Sequence, residues 1–157
     1  MCIRDRCGLD LDDGVTPVDL ELWAVGEDGG AVQVQVTAIG STNVTIGYVN
    51  AWIDWNQDGH MTPAEQILLD APVPLGTTQT LTFDIPEGAG PLNDIYYARF
   101  RLYSAPQMLL DSGATPVGLA YDGEVEDYRW QFTPLAVALA AFDAQGGVDV
   151  YKRQAPP

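Results

Sequence analysis

Hydrophobic and polar residues alternate with a period of two over most of this chain. The clearest case is Val32, Val34 and Val36, which interleave with two glutamines and a threonine. Such alternation is typical of a β-strand with one buried face. The same pattern predicts further strands, separated by turns such as residues 26–30 and 40–43 that are rich in Gly, Asn, Asp and Ser. The predicted strands include residues 18–23, 32–37, 44–55, 67–69, 77–85, 94–103 and 124–132.

No amphipathic helix of useful length interrupts these strands. We therefore predict an all-β fold, an antiparallel β-sandwich of immunoglobulin-like or jelly-roll-like type with about eight strands. The strand at residues 44–55 is expected to carry a bulge at Gly47. Residues 63–66 are expected to form one helical turn, with Thr62 as its cap and Pro63 at its first position.

The strongest chemical motif begins where the strand at residues 44–55 ends. Residues 54–65 read DWNQDGHMTPAE, which matches the calcium-loop pattern D-x-[DN]-x-[DN]-G-x5-E. Calcium takes about six to eight oxygen ligands, and alternate residues of a tightly curled loop point inward to supply them. Gly59 permits the sharp turn, and a glutamate at the twelfth position can bind with both of its oxygens.

The predicted ligands are four side chains, one backbone carbonyl, and a hydroxyl that binds directly or through a water. In that order they are Asp54, Asn56, Asp58 and Glu65, then His60, then Thr62. The alternative is an ordinary β-turn, because Asp-Gly pairs mark turns without any metal. The glutamate in register favours the calcium loop. A strand leads into it instead of a helix, which indicates an EF-hand-like loop with a structural role.

The two ends of the chain resemble translated adapter sequence from the preparation of a DNA library. The string GATGTGTATAAGAGACAG encodes residues 149–154, and the same string read one base later encodes residues 1–6. This resembles a transposon-end adapter used in sequencing libraries. We therefore expect residues 1–6 to be an adapter scar, residues 149–157 to be a scar with a chimeric tail, and the chain to be a metagenomic fragment of a longer protein.

The charge balance is strongly acidic, with 22 acidic and seven basic residues. Without the two scars, three arginines stand against twenty carboxylates, which gives a net charge of −17 and leaves no lysine. Such a surface repels nucleic acid and anionic membranes, and no apolar run is long enough to insert into a membrane. Cys2 falls in a scar and Cys7 adjoins it, so no disulfide framework is supported.

A second group of charged residues lies near the end of the predicted sandwich. Arg99 and Arg101 share one face of a predicted strand, and an acidic strand follows about twenty residues later. We expect a structural ion-pair network, in which the two arginines pair with Glu124, Glu126 or Asp127. Two catalytic carboxylates of a glycosidase are the weaker alternative, because the acid and the base should flank a substrate from separate positions.

Three segments of the sequence resemble one protein family. They are AWIDWNQDG at residues 51–59, YARFR at residues 97–101 and GEVEDY at residues 123–128. In this order they are similar to the GEVED domain of bacterial exported proteins. The resemblance implies a β-sandwich module, at residues 7–133, of a large secreted or surface-attached protein without established catalysis. Residues 134–148 would then be a linker or the start of a truncated following domain.

These observations predict a non-catalytic, calcium-stabilised structural or adhesive module located outside the cell. Its expected partners are calcium ions, the other domains of the parent polypeptide, and glycans or other surface ligands. The alternative is a carbohydrate-binding module, in which aromatic residues, above all Trp52 and Trp55, stack on sugar rings. A domain that assists a hydrolase is a third and less favoured interpretation.

Overall fold

The computed structural model describes residues 14–37, 43–89, 95–109, 113–120 and 123–131. These residues contain seven strands, three short 3-10 turns and no α-helix. The strands are β1 (Val15–Pro17), β2 (Gly26–Gln35), β3 (Ile46–Ile53), β4 (Gln66–Pro74), β5 (Thr78–Ile85), β6 (Ile95–Tyr103) and β7 (Glu124–Gln131). The 3-10 turns are η1 (Leu20–Leu22), η2 (Pro63–Glu65) and η3 (Gln107–Leu109).

The strands form two sheets, one with the order β1-β2-β5 and one with the order β4-β3-β6-β7. Every pair of neighbouring strands is antiparallel. The predicted all-β, antiparallel architecture is therefore confirmed. The described residues form seven strands, one fewer than predicted.

One hydrophobic core joins the two sheets. It takes alternate residues from strands of both sheets, as expected when each strand buries one face. From the three-stranded sheet come Val15, Val32, Val34, Phe83 and Ile85; from the four-stranded sheet come Val49, Ala51, Ile53, Leu68, Val73, Tyr96, Ala98, Phe100 and Trp130. The two sheets thus pack face to face, as in a β-sandwich.

The N-terminal part of the fold differs from the prediction. Residues 18–23 were predicted as a strand, but they contain η1, because Asp19 adopts a left-handed backbone with φ of 43° and breaks the extended chain. The predicted turn at residues 26–30 instead belongs to β2, with a register shift against β5 between Gly26 and Gly30. A Cβ atom at Gly30 would lie 2.4 Å from the Phe83 ring, so glycine here serves close packing.

The strand that leads to the candidate loop is irregular at a different place from the one predicted. The register between β3 and β4 shifts between Val49 and Trp52 and is regular around Gly47. The helical turn is confirmed as η2, with Thr62 at its N-cap and Pro63 at its first position. No helix among the described residues is long and apolar enough to cross a membrane.

Several sequence-based predictions fall outside the described residues. They concern the two terminal scars and the segment at residues 134–148.

Candidate functional site

The candidate calcium loop, residues 54–65, connects β3 to β4 and is anchored where it begins. The backbone N–H of Asp54 donates to the Tyr97 carbonyl of β6 at 3.0 Å. The next side chain, Trp55, is buried in the core and contacts the Tyr96 ring edge-on, with 5.4 Å between ring centroids. The tip of the loop at residues 56–60 is exposed. The base of the loop is therefore anchored to the core and to β6, and its tip faces solvent.

The turn at the tip depends on two left-handed residues. Gln57 has φ of 59° and Gly59 has φ of 80°. A Cβ atom at Gly59 would meet no atom within 4 Å. The requirement for glycine therefore comes from the backbone conformation and not from crowding. This is the sharp turn at the sixth position that the sequence predicts.

The first half of the loop wraps around its own polar side chains. Asp54 accepts hydrogen bonds from the N–H groups of Asp58 (3.2 Å, Oδ1) and Gly59 (2.9 Å, Oδ2). Asn56 Oδ1 accepts from the Asp58 N–H at 2.9 Å, and Asp58 Oδ1 accepts from the His60 N–H at 2.8 Å. The side chains at the first, third and fifth positions of the motif thus all accept backbone N–H groups of the same loop.

The second half of the loop is closed by Glu65. Its Oε2 accepts from both the N–H and the hydroxyl of Thr62, each at 2.9 Å. Its Oε1 accepts from the Asn56 N–H at 3.4 Å. The twelfth position is therefore connected to the third and the ninth, and the loop closes on itself.

Burial leaves the charge of this loop uncompensated. The residues Asp54 and Glu65 are only 3% and 6% exposed, and neither forms an ion pair with a described residue. Their partners are neutral N–H and O–H groups. Among the described residues, no group of three or more His, Cys, Asp or Glu side chains is arranged to hold a metal ion. A cation bound here would need the carboxylates to converge further.

The outer face of the four-stranded sheet carries a second polar region, which we term the arginine face. It comprises the residues that alternate with the core positions of β3 and β6: Asn50, Trp52, Arg99, Arg101 and Tyr103. Trp52 is 0% exposed and Arg101 is 2% exposed, although an outer face usually meets solvent. The connection between β6 and β7, described at residues 104–109 and 113–120, covers it.

Arg99 forms the ion pair of this face. Its Nε and Nη2 each lie 2.6 Å from a carboxylate oxygen of Asp127 on β7, and its Nη1 donates to the Pro116 carbonyl at 2.9 Å. The hydrogen bonds that Arg99 donates to Asp127 raise the pKa of Arg99, against the opposing effect of partial burial. This bidentate pair fixes the register of β6 and β7.

Arg101 is held differently from Arg99, in contrast to the prediction that both pair with carboxylates. It donates to the Tyr103 hydroxyl at 2.7 Å and to the carbonyls of Pro116 at 3.4 Å and Gly118 at 3.1 Å. Its cross-strand neighbour on β7 is Val125.

Glu124 and Glu126 do not share the face of the arginines. They lie opposite Leu102 and Phe100, because alternation along β7 turns them away when Asp127 faces outward. Glu126 accepts a hydrogen bond from the Tyr128 hydroxyl, and both glutamates line a cavity of about 70 Å³ between the sheets.

Glycine is required at the start of β7. A Cβ atom at Gly123 would lie 1.7 Å from the Leu102 carbonyl oxygen of β6. The segment at residues 123–128 therefore combines a close backbone approach with an ion pair to β6.

Asp70 is a site residue that the sequence does not reveal. Its carboxylate accepts from the backbone N–H groups of Gln107 (2.9 Å) and Met108 (2.8 Å) and from the Asn50 side chain (2.9 Å). Partial burial acts to raise the pKa of Asp70, but these three hydrogen bonds outweigh it and leave the pKa below its usual 3.8. The carboxylate fastens the β6–β7 connection to β4, and no periodic pattern in the sequence points to it.

The two tryptophans proposed to stack on sugars are both inaccessible. Trp52 is 0% exposed, and its Nε1 has no hydrogen-bond partner among the described residues. Trp55 is 4% exposed and belongs to the core. Neither ring can stack on a sugar at the surface, so this part of the prediction is wrong.

Comparison with known proteins gave one match. The family model described as the GEVED domain matches residues 48–131, more than half of the chain. No curated protein and no solved structure matches the chain. The matched segment runs from β3 through β7 and includes the candidate calcium loop, the arginine face and the segment at residues 123–128.

Proposed function

Because this chain belongs to the GEVED domain family, we propose that it is a non-catalytic structural or adhesive module of a large bacterial secreted or surface protein, stabilised by calcium at residues 54–65. We further propose that its sandwich is immunoglobulin-like. The non-sequential neighbours β2–β5 and β3–β6 support this assignment, because immunoglobulin-like sandwiches use Greek-key connections of this kind.

The observation that carries the calcium proposal is the burial of Asp54 and Glu65 at the two ends of one loop. Removing an ion from water costs several kcal/mol even after the protein relaxes. Neutral donors offset part of this cost, but no basic described residue pairs with either carboxylate. A bound divalent cation would supply the missing positive charge to both groups at once.

The attachment of the loop supports a stabilising role over a sensing role. Trp55 is fixed in the core against Tyr96, and the Asp54 N–H is bound to β6. Binding at an anchored loop orders few additional residues, so more of the binding energy stabilises the fold. The bound cation would tie the end of β3 to the start of β4.

The charge of the chain supports a location outside the cell. Residues 7–148 contain no lysine and carry a large excess of carboxylates, which cations of an extracellular medium screen or bind. Extracellular calcium modules work with Kd values of about 10⁻⁴–10⁻³ M. The partners proposed here are therefore calcium and the adjoining domains of the parent polypeptide. The only histidine, His60, lies in the candidate loop, which favours a non-catalytic role.

Thermal unfolding with and without calcium tests this function. Calcium at about 100 times its Kd should add about 2.7 kcal/mol and raise the Tm by about 10 °C. Asp58→Asn removes a predicted ligand and should abolish most of the shift. Asp84→Asn is the matched control, because Asp84 is also exposed and accepts one backbone N–H, from Asp28. It should retain the full shift.

Two results would refute the proposal. One is a wild-type Tm that does not respond to millimolar calcium. The other is an equal response in Asp58→Asn and Asp84→Asn, which would place any calcium effect outside residues 54–65.

A further inference from the structure

Basic residues are confined to one side of the sandwich. Residues 7–148 contain only three of them, Arg99, Arg101 and Arg129. All three alternate with core positions of β6 and β7, so they point outward from the four-stranded sheet. The one carboxylate on the outward side of β7, Asp127, is paired with Arg99. The outward side of β6 and β7 therefore carries a net positive charge on an otherwise strongly acidic chain.

The three-stranded sheet, on the opposite side, ends in four exposed carboxylates, which we term the acidic end. Glu27 and Asp28 lie within the register shift between β2 and β5, Asp84 lies on β5, and Glu87 follows in the next turn. The Asp28 N–H donates to Asp84 Oδ1 at 2.9 Å, which brings these two residues together. Residues 14–37 and 75–89 contain no basic residue. The acidic end is therefore uncompensated by its own sheet.

Exposed apolar residues lie around the arginines. Tyr97 and Arg129 are exposed cross-strand neighbours on β6 and β7, and Val125 is exposed further along β7. The β6–β7 connection adds Val117 and Leu119, which are also exposed. We term these five residues the docking surface. Tyr and Arg are enriched among the residues that dominate binding energy at interfaces, and grouped apolar exposure commonly marks an interaction site.

Arg129 differs from the other two arginines in having no ion-pair partner among the described residues. The acidic end of the same copy cannot supply one, because it belongs to the other sheet and packed sheets lie about 10 Å apart. The acidic end of a second copy is free to approach Arg129 from outside. Charge complementarity therefore exists between copies of this chain and not within one copy.

We propose that the docking surface of one copy binds the acidic end of a second copy, so that the chains associate head to tail. Repulsion between two acidic copies is screened beyond about 8 Å at about 0.15 M salt, whereas the contact between Arg129 and the carboxylates is at close range. The two surfaces are different, so each contact leaves one of each kind unoccupied and the assembly stays open. This association requires no calcium and goes beyond the proposed function.

Sedimentation velocity of the full chain in calcium-free buffer at about 0.15 M salt tests this association. The wild-type sedimentation coefficient should rise with protein concentration, whereas that of a repulsive acidic monomer falls. Arg129→Gln should abolish the rise. Thr78→Glu is the matched control, because it changes the net charge by the same amount at an exposed position on β5, at the opposite end from Asp84. It should retain the rise.

A mixture of two variants tests the head-to-tail geometry. Arg129→Gln keeps its acidic end, and a double variant with Glu27→Arg and Glu87→Arg keeps its docking surface. Neither should associate alone, but together they should form a 1:1 complex and nothing larger. All three positions are exposed, and an unchanged Tm confirms that each variant folds.

Three results would overturn the proposal. The first is a wild-type sedimentation coefficient that does not rise with concentration. The second is equal association of Arg129→Gln and Thr78→Glu, which would exclude the docking surface. The third is a mixture that forms no complex, which would exclude the acidic end as its partner. Because calcium is absent throughout, failure here leaves the proposed function unaffected, and a protein that does not bind calcium leaves this test intact.

Discussion

The candidate calcium loop and the arginine face bury charged side chains of opposite sign, and in both regions the hydrogen-bond partners of the buried charge are neutral groups. On the arginine face, buried Arg101 donates to a hydroxyl and two carbonyl oxygens, all neutral. In the loop, buried Asp54 and Glu65 accept from neutral N–H and O–H groups. Both regions belong to the four-stranded sheet, and each buries a charge without an oppositely charged partner, positive on the arginine face and negative in the loop.

The difference follows from the chemistry of the two kinds of ion. A guanidinium spreads its charge over five N–H donors and is weakly hydrated, so carbonyl oxygens can satisfy it without a carboxylate. A carboxylate concentrates its charge on two oxygens, and each oxygen keeps a free lone-pair direction after it accepts one bond. The guanidinium of Arg101 is therefore satisfied as folded, whereas both oxygens of Asp54 keep a free direction that the proposed calcium ion would use. The contribution of the loop to stability should therefore depend on calcium, and the contribution of the arginine face should not.

The largest expected loss of stability is that of Arg101→Met. The substitution keeps the long apolar stem but leaves the carbonyls of Pro116 and Gly118 and the Tyr103 hydroxyl without their buried donor. We expect a loss of about 3 kcal/mol in the free energy of unfolding. Urea denaturation should show the same loss with and without calcium. Arg129→Met, on the exposed side of β7, should change stability by less than about 0.5 kcal/mol.

A loss at Arg101 that depends on calcium would break the distinction between the two regions. It would mean that the arginine face and the loop are energetically coupled.

The next largest loss of stability is expected for Glu65→Gln in the presence of calcium. The substitution keeps the shape of the side chain and removes one buried charge. At saturating calcium we expect it to lose most of the roughly 2.7 kcal/mol that the cation supplies. Without calcium it should be at least as stable as the wild type, because a neutral amide is cheaper to bury than a carboxylate. Denaturation curves at both calcium levels give the two differences.

Glu87→Gln, at an exposed turn residue, is the charge-matched control for Glu65→Gln. Equal calcium responses in the two variants would remove Glu65 from the site. A large loss of stability in calcium-free Glu65→Gln would show that the carboxylate is already well compensated, as Arg101 is.

The local features of the loop were predictable because each rests on neighbouring residues. The spacing of Asp54, Asp58 and Gly59 predicts a curl with a left-handed sixth position, and Gly59 has φ of 80°. Thr62 and Pro63 predict the start of a helical turn, and η2 begins at Pro63. The membership in the GEVED family was also predictable, since its three motifs lie in the matched segment.

The arginine face was only partly predictable, because it depends on strand register and on a long connection. The sequence places Arg99 and Arg101 on one face but does not say whether the glutamates or Asp127 of β7 face them. A shift of one residue in the register between β6 and β7 would exchange the β7 side chains that face the arginines for those that face the core. The β6–β7 connection has no periodic pattern, so its hydrogen bonds to Arg101 were not foreseen. Trp52 was misassigned as an exposed aromatic.

The β6–β7 connection is held to β4 by the carboxylate of Asp70, and the pH dependence of stability tests this interaction. The hydrogen bonds of Gln107, Met108 and Asn50 lower the pKa of Asp70 in the folded state below 3.8. A group with a lowered folded pKa stabilises the protein at pH values above its unfolded pKa, and this contribution is lost as the pH falls through the folded pKa. Between about pH 5 and pH 2 the wild type should lose a contribution of about 1 kcal/mol, a modest value because Asp70 is only partly buried.

Asp70→Asn isolates that contribution. Asn tolerates the left-handed backbone that residue 70 adopts, with φ of 47°, so the substitution removes the charge without adding strain. All other carboxylates titrate alike in both proteins. The difference in unfolding free energy between wild type and Asp70→Asn should therefore be about 1 kcal/mol near neutral pH and shrink on acidification. A difference that is independent of pH would show that Asp70 acts through the shape of β4. A difference that vanishes when calcium is removed would instead show that Asp70 is energetically coupled to the loop. The β6–β7 connection and the loop would then not contribute to stability independently.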